Sequence, residues 1–278
     1  MPPDTYLTEI LAAHRARARA QRRDLDTLAA AAESAPPTRP FGAALAASAG
    51  GPLAVIAEIK RRSPSRGDIA PDVDVAAVAA DYEAGGARCV SVLTDDEFFG
   101  GSADDLARAR AACGLPVLRK DFTVCEADVY DARIMGADAI LLIVAALSDD
   151  ELGALSTLAQ EVALDALVEV HDESELERAL EAGAELVGVN QRDLATFEVD
   201  PKRAIRLAAS IPAEVVAVAE SGIRDAEDAR ALAESGYQAV LVGESLMRAA
   251  DRRNAVTAIG GHRIGPRAGV PSVGSSAG

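Results

Sequence analysis

From Pro52 to about residue 250 the chain alternates between short apolar runs and stretches of helical composition, and no other feature limits its fold as tightly. The apolar runs fall near 53–60, 88–93, 116–120, 138–144, 165–170, 186–190, 214–219 and 238–243. They are continuous, as strands buried on both faces of a parallel sheet must be. Between them the composition predicts helices near 73–84, 103–112, 125–135, 148–162, 172–182, 201–209, 225–235 and 244–249. Some open on Asp or Ser and several close on Gly, as in Glu83-Ala84-Gly85-Gly86, Met135-Gly136 and Glu181-Ala182-Gly183. Eight β-then-α units of roughly 25 residues are the repeat of a closed barrel. A doubly wound open sheet is the runner-up, but it usually has fewer strands and a Gly-rich first turn, and no GxGxxG follows the first run. The expected fold class is α/β, a (β/α)8 TIM barrel.

The barrel is expected over 51–259. Residues 1–50 form an N-terminal helical extension: 5–33 has helical composition, with Leu7, Ile10, Leu11 and His14 on one stripe. The segment Pro36-Pro37-Thr38-Arg39-Pro40 interrupts it, and a short helix follows near 42–48. Residues 260–278, rich in Gly, Ser and Pro, read as a disordered tail.

Six of the apolar runs stop on an acid, an amine or an amide: Glu58 and Lys60, Lys120, Glu169, Asn190, Glu220 and Glu244. Strand C-termini are where active sites of such barrels gather, with groups drawn from several strands. One such residue is readily a charge leaving the core for solvent; six together describe a mouth lined with reactive groups. Side chains alternate along a strand, so Glu58 and Lys60 share a face. A carboxylate beside an ammonium keeps both ionised in a poorly hydrated site, whereas a carboxyl in an apolar mouth has its pKa raised. Two lysines and three glutamates can supply an acid, a base and an anchor for a substrate carboxylate, and Asn190 can hold a hydroxyl or an oxyanion.

The seventh and eighth runs lead into Glu220-Ser221-Gly222-Ile223 and Val242-Gly243-Glu244-Ser245. Loops in these two positions commonly hold phosphate, because glycine lets backbone amides approach an anion. Ordinary turn chemistry is the plainer reading, and the position after the last two strands tips the balance toward phosphate. The loop Arg61-Arg62-Ser63-Pro64-Ser65-Arg66-Gly67 adds hydroxyls and cations above the same mouth.

The net charge is −16, from 28 basic and 44 acidic residues, and argues against nucleic acid or an anionic membrane as a partner. It leaves a small anionic substrate open, since local lysines decide that. Cys89, Cys113 and Cys125 show no CxxC spacing, and His14 and His171 show no triad spacing; the reading is a reducing compartment, no metal, and structural histidines. No secretory h-region is visible near the start, and the longest apolar run, Ala139 to Leu147, is too short to span a bilayer. A cytoplasmic location is expected.

These residues carry a resemblance. Ile56-Ala57-Glu58-Ile59-Lys60-Arg61-Arg62-Ser63-Pro64-Ser65, Pro116-Val117-Leu118-Arg119-Lys120-Asp121-Phe122, Leu167-Val168-Glu169-Val170-His171, Gly188-Val189-Asn190-Gln191-Arg192-Asp193-Leu194, Ala219-Glu220-Ser221-Gly222-Ile223 and Leu241-Val242-Gly243-Glu244-Ser245-Leu246-Met247 follow one another in the order of the indole-3-glycerol phosphate synthases. Ser91-Val92-Leu93-Thr94-Asp95, Phe98-Phe99-Gly100-Gly101-Ser102 and Leu141-Leu142-Ile143-Val144 extend the match, which resembles that family over about 5–250.

The resemblance implies closure of 1-(2-carboxyphenylamino)-1-deoxyribulose 5-phosphate into an indole, with loss of carbon dioxide and water and no metal or organic cofactor. It implies that Lys120 protonates the ribulose carbonyl oxygen during ring closure and that Glu169 transfers a proton in the later dehydration. Lys60 would anchor the anthranilate carboxylate, and Glu58 would orient the lysines. Asn190 and Arg192 would be further substrate contacts, with Glu220 and Ser221 completing the polar rim. Ser63, Gly222, Gly243 and Ser245 resemble the phosphate cradle, and Phe99 and Phe122 the aromatics on the anthranilate ring. Glu244 carries no catalytic role in this reading. The N-terminal helices would lie over the mouth, and Gly100-Gly101 would loosen a loop above it. The expected partner is a small phosphorylated substrate, and the expected assembly a monomer or weak homodimer touching other tryptophan-pathway enzymes only transiently. Three rivals stand beside this: a phosphoribosylanthranilate isomerase, disfavoured by Glu58-Ile59-Lys60 at the first run; a Schiff-base aldolase acting through Lys120; and a phosphate-binding barrel without turnover.

Overall fold

The computed structural model describes residues 6–46, 50–64, 67–193, 196 and 198–267. Of the positions read above, 1–5, 47–49, Ser65, Arg66, Leu194 and 268–278 lie outside them. The eight apolar runs are strands: β1 (Ala54–Ile59), β4 (Cys89–Leu93), β5 (Val117–Lys120), β6 (Ala139–Ile143), β7 (Asp165–Val170), β8 (Leu186–Asn190), β9 (Val216–Glu220) and β10 (Ala239–Val242). Two further two-residue strands, β2 (Arg62–Ser63) and β3 (Gly67–Asp68), pair as a hairpin after β1. The eight long ones pair in parallel in chain order, and β10 returns to β1 to close the barrel.

Helices alternate with the barrel strands: α4 (Val75–Ala84), α5 (Asp96–Phe99), α6 (Ala103–Ala112), α7 (Glu126–Met135), α8 (Asp149–Glu161), α9 (Glu173–Glu181), α10 (Arg203–Leu207), α11 (Ala226–Glu234), α12 (Glu244–Arg248) and α13 (Arg252–Ile259). Several of their caps are the ones the composition announces. Ser148 accepts from Glu151 N while Glu151 reaches back to Ser148 N, and Gly136 ends α7 at φ 89°. The helix α13 was not expected; Asp251 starts it by accepting from Asn254 N, and Val256 and Ile259 bury its apolar side.

The extension differs from expectation. Of the stretch read over 5–33, residues 6–33 are not one helix but α1 (Tyr6–Ala20) and α2 (Leu25–Glu33), parted where Arg23 turns out to a bidentate pair with Asp131 and Asp24 caps α2 through Thr27 N. Only α1 lies over the mouth, where Arg15 holds Ala146 O and Glu151 beyond β6. The helix α2 runs down the outer wall against α7, and Arg133 meets Ala35 O on the way. Then α3 (Phe41–Leu45) covers the opposite end of the barrel, with Phe41 and Leu45 fully buried and Gly42 N donating to Asp165 at the start of β7.

The expectation of a tail from residue 260 needs correcting for 260–267. Leu53 N donates to His262 O, Ile264 is buried, and the guanidinium of Arg267 is spent on the carbonyls of Gly236, Ile211, Pro212 and Val215. A buried arginine satisfied by carbonyls is an anchor. Gly100-Gly101 is likewise no loosening: Gly100 caps α5 at φ 65°, and a Cβ at Gly101 would collide with Leu93 O. Among the described residues no helix is long and apolar enough to cross a membrane.

Candidate active site

The C-terminal ends of the strands open into a cavity of about 540 Å³. All fourteen residues singled out from the sequence line it, drawn from the ends of seven strands and the segments beyond them. Its lining carries six carboxylates and five cations, so the charge of −16 does not set the potential inside.

At the centre Lys120, the last residue of β5, places Nζ 2.7 Å from Glu169 Oε2 and 2.7 Å from Glu220 Oε2. Burial works against its ammonium, but the charges of Glu169, Glu220 and Glu58 outweigh that and hold its pKa above the usual lysine value. Glu169 is fixed on its other oxygen by Asn190 Nδ2 at 3.0 Å, and Asn190 Oδ1 in turn accepts from Arg192 N. Burial would raise the Glu169 carboxyl, but Lys120, His171 and Asn190 bring it below its ordinary value. Glu220 goes the other way: burial raises it, Lys120 pulls it back, and Glu169 and Glu58 leave it at about 7. Its Oε1 is buried with no hydrogen-bond partner among the described residues. Two carboxylates of one residue type thus flank one ammonium with opposite tendencies, the arrangement that separates an acid from a base.

A second pair stands on β1, where Lys60 Nζ lies 2.6 Å from Glu58 Oε1. Phe99 and Phe122 face each other across the cavity rim with ring centroids 6.3 Å apart. His14 of α1 closes over Phe122 at 5.1 Å and bonds Asp95 at 2.9 Å, with Asp121 at 3.9 Å. His171 likewise stands beside carboxylates, with Glu175 at 2.9 Å and Glu169 at 3.6 Å, although neither histidine shows a triad spacing in the chain.

The two glycine loops adjoin. Ser221 and Gly222 both take positive φ, 66° and 74°, and Ser245 Oγ donates to Ile223 O at 3.0 Å, tying one loop to the other. Arg61 and Arg62 do not serve the mouth. Arg61 forks onto Asp105 of α6 and Arg62 onto backbone carbonyls of α5, while Ser63 and Pro64 of the same loop line the cavity.

Sequence reasoning missed Asp95, Asp121, Arg224 and Arg248 in the lining, and it missed what Gly188 does. A Cβ at Gly188 would collide with Glu220 Oε1, and one at Gly243 with Glu58 Oε1. A glycine inside an apolar strand, as in Leu186-Val187-Gly188-Val189, was the available signal of such a close approach.

The chain is similar to known proteins over most of its length. The family model of indole-3-glycerol phosphate synthase matches residues 7–259. Indole-3-glycerol phosphate synthase 2 of Streptomyces coelicolor is 54% identical over 220 residues, covering 79% of this chain and 84% of the relative. Indole-3-glycerol phosphate synthase 1 of the same organism is 51% identical over 225 residues, covering 81% and 84%. A solved thiamine phosphate pyrophosphorylase from Pyrococcus furiosus shares the fold at TM-score 0.57 and 17% identity, covering 74% of this chain and 93% of its own. A family match that begins in α1 and ends in α13, with half the aligned residues shared with two relatives, shows that the chain belongs to the indole-3-glycerol phosphate synthase family.

Proposed function

We propose that the cavity carries out the family's reaction, converting 1-(2-carboxyphenylamino)-1-deoxyribulose 5-phosphate to indole-3-glycerol phosphate, carbon dioxide and water in tryptophan biosynthesis. The chain is a carbon–carbon carboxy-lyase of that family. The observation that carries the reading is Lys120 held between Glu169 and Glu220 at 2.7 Å each, beside the Glu58–Lys60 pair.

In ring closure the carbonyl oxygen under attack becomes an alkoxide, which is more basic than an amine. An ammonium fixed beside it is then a competent acid, and Lys120 takes that role. Its carboxylate partners keep it charged between turnovers. Glu169, the ionised carboxylate, accepts a proton in the dehydration that expels water. Lys60 anchors the anthranilate carboxylate, whose departure as carbon dioxide restores the aromatic ring, and Glu58 restrains Lys60. Phe99 and Phe122 sandwich the ring edge. Asn190, Arg192, Glu220 and Ser221 complete the polar contacts. The phosphate lies on Ser63, Gly222, Gly243 and Ser245. Because the Ser245 hydroxyl is donated to Ile223 O, the anion is met by backbone N–H groups at the start of α12, which have no partner within the helix.

A Schiff base at Lys120 requires a neutral amine, and the paired carboxylates oppose one. Borohydride reduction with substrate present should leave the mass of Lys120-containing peptides unchanged. We also read the chain as a cytoplasmic monomer or weak homodimer. Its three cysteines are free thiols, and its exposed large apolar side chains, Tyr6, Leu25, Ile134 and Ile205, sit on different helices. Light scattering of the purified protein tests the assembly. Indole fluorescence on adding the carboxyphenylamino-deoxyribulose phosphate tests the reaction, and no product at saturating substrate sinks it.

A further inference from the structure

His171 stands just beyond β7 and has no part in the chemistry above. Its Nδ1 lies 2.9 Å from Glu175 Oε2 of α9, and the same oxygen accepts from His171 N at 2.7 Å. Its Nε2 is buried, has no hydrogen-bond partner among the described residues, and points at Glu169, with Oε1 3.6 Å away. A carboxylate only accepts, so Nδ1 carries a hydrogen. Nε2 then presents to Glu169 either a lone pair or a second N–H. A buried lone pair against a buried carboxylate is unfavourable, and the second N–H makes an imidazolium held between two anions.

The charge around Lys120 points the same way. One ammonium faces two carboxylates, so the trio is short of one positive charge or one proton. His171 supplies positive charge on the Glu169 side only. On the other side Glu220 Oε1 has no donor and rests against the backbone at Gly188, an environment suited to a protonated carboxyl. We infer that His171, held by Glu175, is the positioning residue that keeps Glu169 ionised and makes Glu220 the carboxyl of the pair that carries a proton.

The groups facing these side chains agree with it. Glu169 meets Lys120 from β5, Asn190 from β8, Glu220 from β9 and His171 from the turn beyond its own strand, and Glu220 also feels Glu58 of β1. His171 meets Glu169 and Glu175, and against them the cation Arg203 of α10. Arg203 is itself engaged by Asn190 O at 3.0 Å and Asp193 at 3.9 Å. Burial disfavours the imidazolium, but the two glutamates overcome it and the His171 pKa is raised.

The split between the carboxyls stands on geometry, while its consequence for turnover rests on the reaction proposed above. Carbon-13 NMR of glutamate carboxyls, assigned with Glu169→Gln and Glu220→Gln, reads the split without turnover. Wild type should show Glu169 titrating below Glu220. In His171→Asn the Glu169 midpoint should rise by about one pH unit, and Glu220 should fall as the proton redistributes. Glu175→Gln should move both in the same directions by less. The acid limb of kcat/KM should shift upward with the Glu169 midpoint, with KM little changed. A Glu169 midpoint unmoved in folded His171→Asn overturns the inference; if that variant does not fold, an unmoved midpoint in Glu175→Gln does so. Inactive wild-type protein would sink the reaction and leave the NMR result standing.

Discussion

Gly188 makes room for Glu220: the carboxyl oxygen Oε1 occupies the space that a side chain on residue 188 would fill. Gly243 stands in the same relation to Glu58. Both carboxylates reach the mouth through a gap in a neighbouring element. Gly188→Ala should therefore push Glu220 off Lys120, lowering kcat/KM about 10²-fold and stability by about 1–3 kcal/mol. In a Glu220→Ala background the same substitution should cost less, with a coupling of about 0.5–3 kcal/mol in a denaturation cycle. Additive effects would show that the clash is not the cause.

Turnover should separate the two lysines. Lys120→Ala and Glu169→Gln remove groups that act on the transition state, so kcat should fall by about 10²–10⁴-fold with KM little altered. Lys60→Ala removes the hold on a ground-state carboxylate and should raise KM as well. Steady-state kinetics of the three variants decide it. If all three changed KM alone, the assigned roles would be wrong.

Stability against pH should carry the mark of Glu220. Its folded pKa, about 7, lies above the ordinary carboxylate value, so folding favours the protonated form. The stability it contributes is complete at acid pH below that ordinary value and is lost as pH climbs through about 7. The melting temperature of wild type relative to Glu220→Gln should fall between about pH 5 and 8. Glu169, held low, should behave oppositely and lose its contribution only as pH falls toward about 2. A constant difference between wild type and Glu220→Gln across the range would contradict the assignment.

His14 is the buried hold of α1 on the mouth, through Asp95 and Phe122. His14→Ala leaves Asp95 with one fewer donor and should cost about 1–3 kcal/mol. Hydrogen exchange in Tyr6–Ala20 should speed up while that of α2 and α3 does not. Uniform acceleration across the extension would mean the three helices come away together.

The barrel was legible because its signal is local. A strand buried on both faces has to be a continuous apolar run, and the residue that breaks the run, as Lys120 and Glu169 do, marks the open end. What was not legible depends on the third dimension. In Arg22-Arg23-Asp24 the capping aspartate was the one local sign of a break, and the turn outward of Arg23 depends on Asp131 being brought opposite it. The short segment Phe41–Leu45 carries no sign of which end of the barrel it covers. His171 shows no partner in a search for distant spacing, because its partners are Glu169 and Glu175 in the turn around it. Gly243 reads as a phosphate-loop glycine, and only the packed site shows that Glu58 also needs its bareness.

The extension touches both ends of one barrel, α1 at the mouth and α3 beneath, with α2 strapped to the wall between. A cover tied in this way stays tethered when it lifts. If α1 is released from Asp95 with α2 and α3 still docked, its return is intramolecular, at an effective concentration set by the few residues around Gln21–Asp24 rather than by the amount of protein in solution. Return of the cover is then a first-order event, independent of protein concentration.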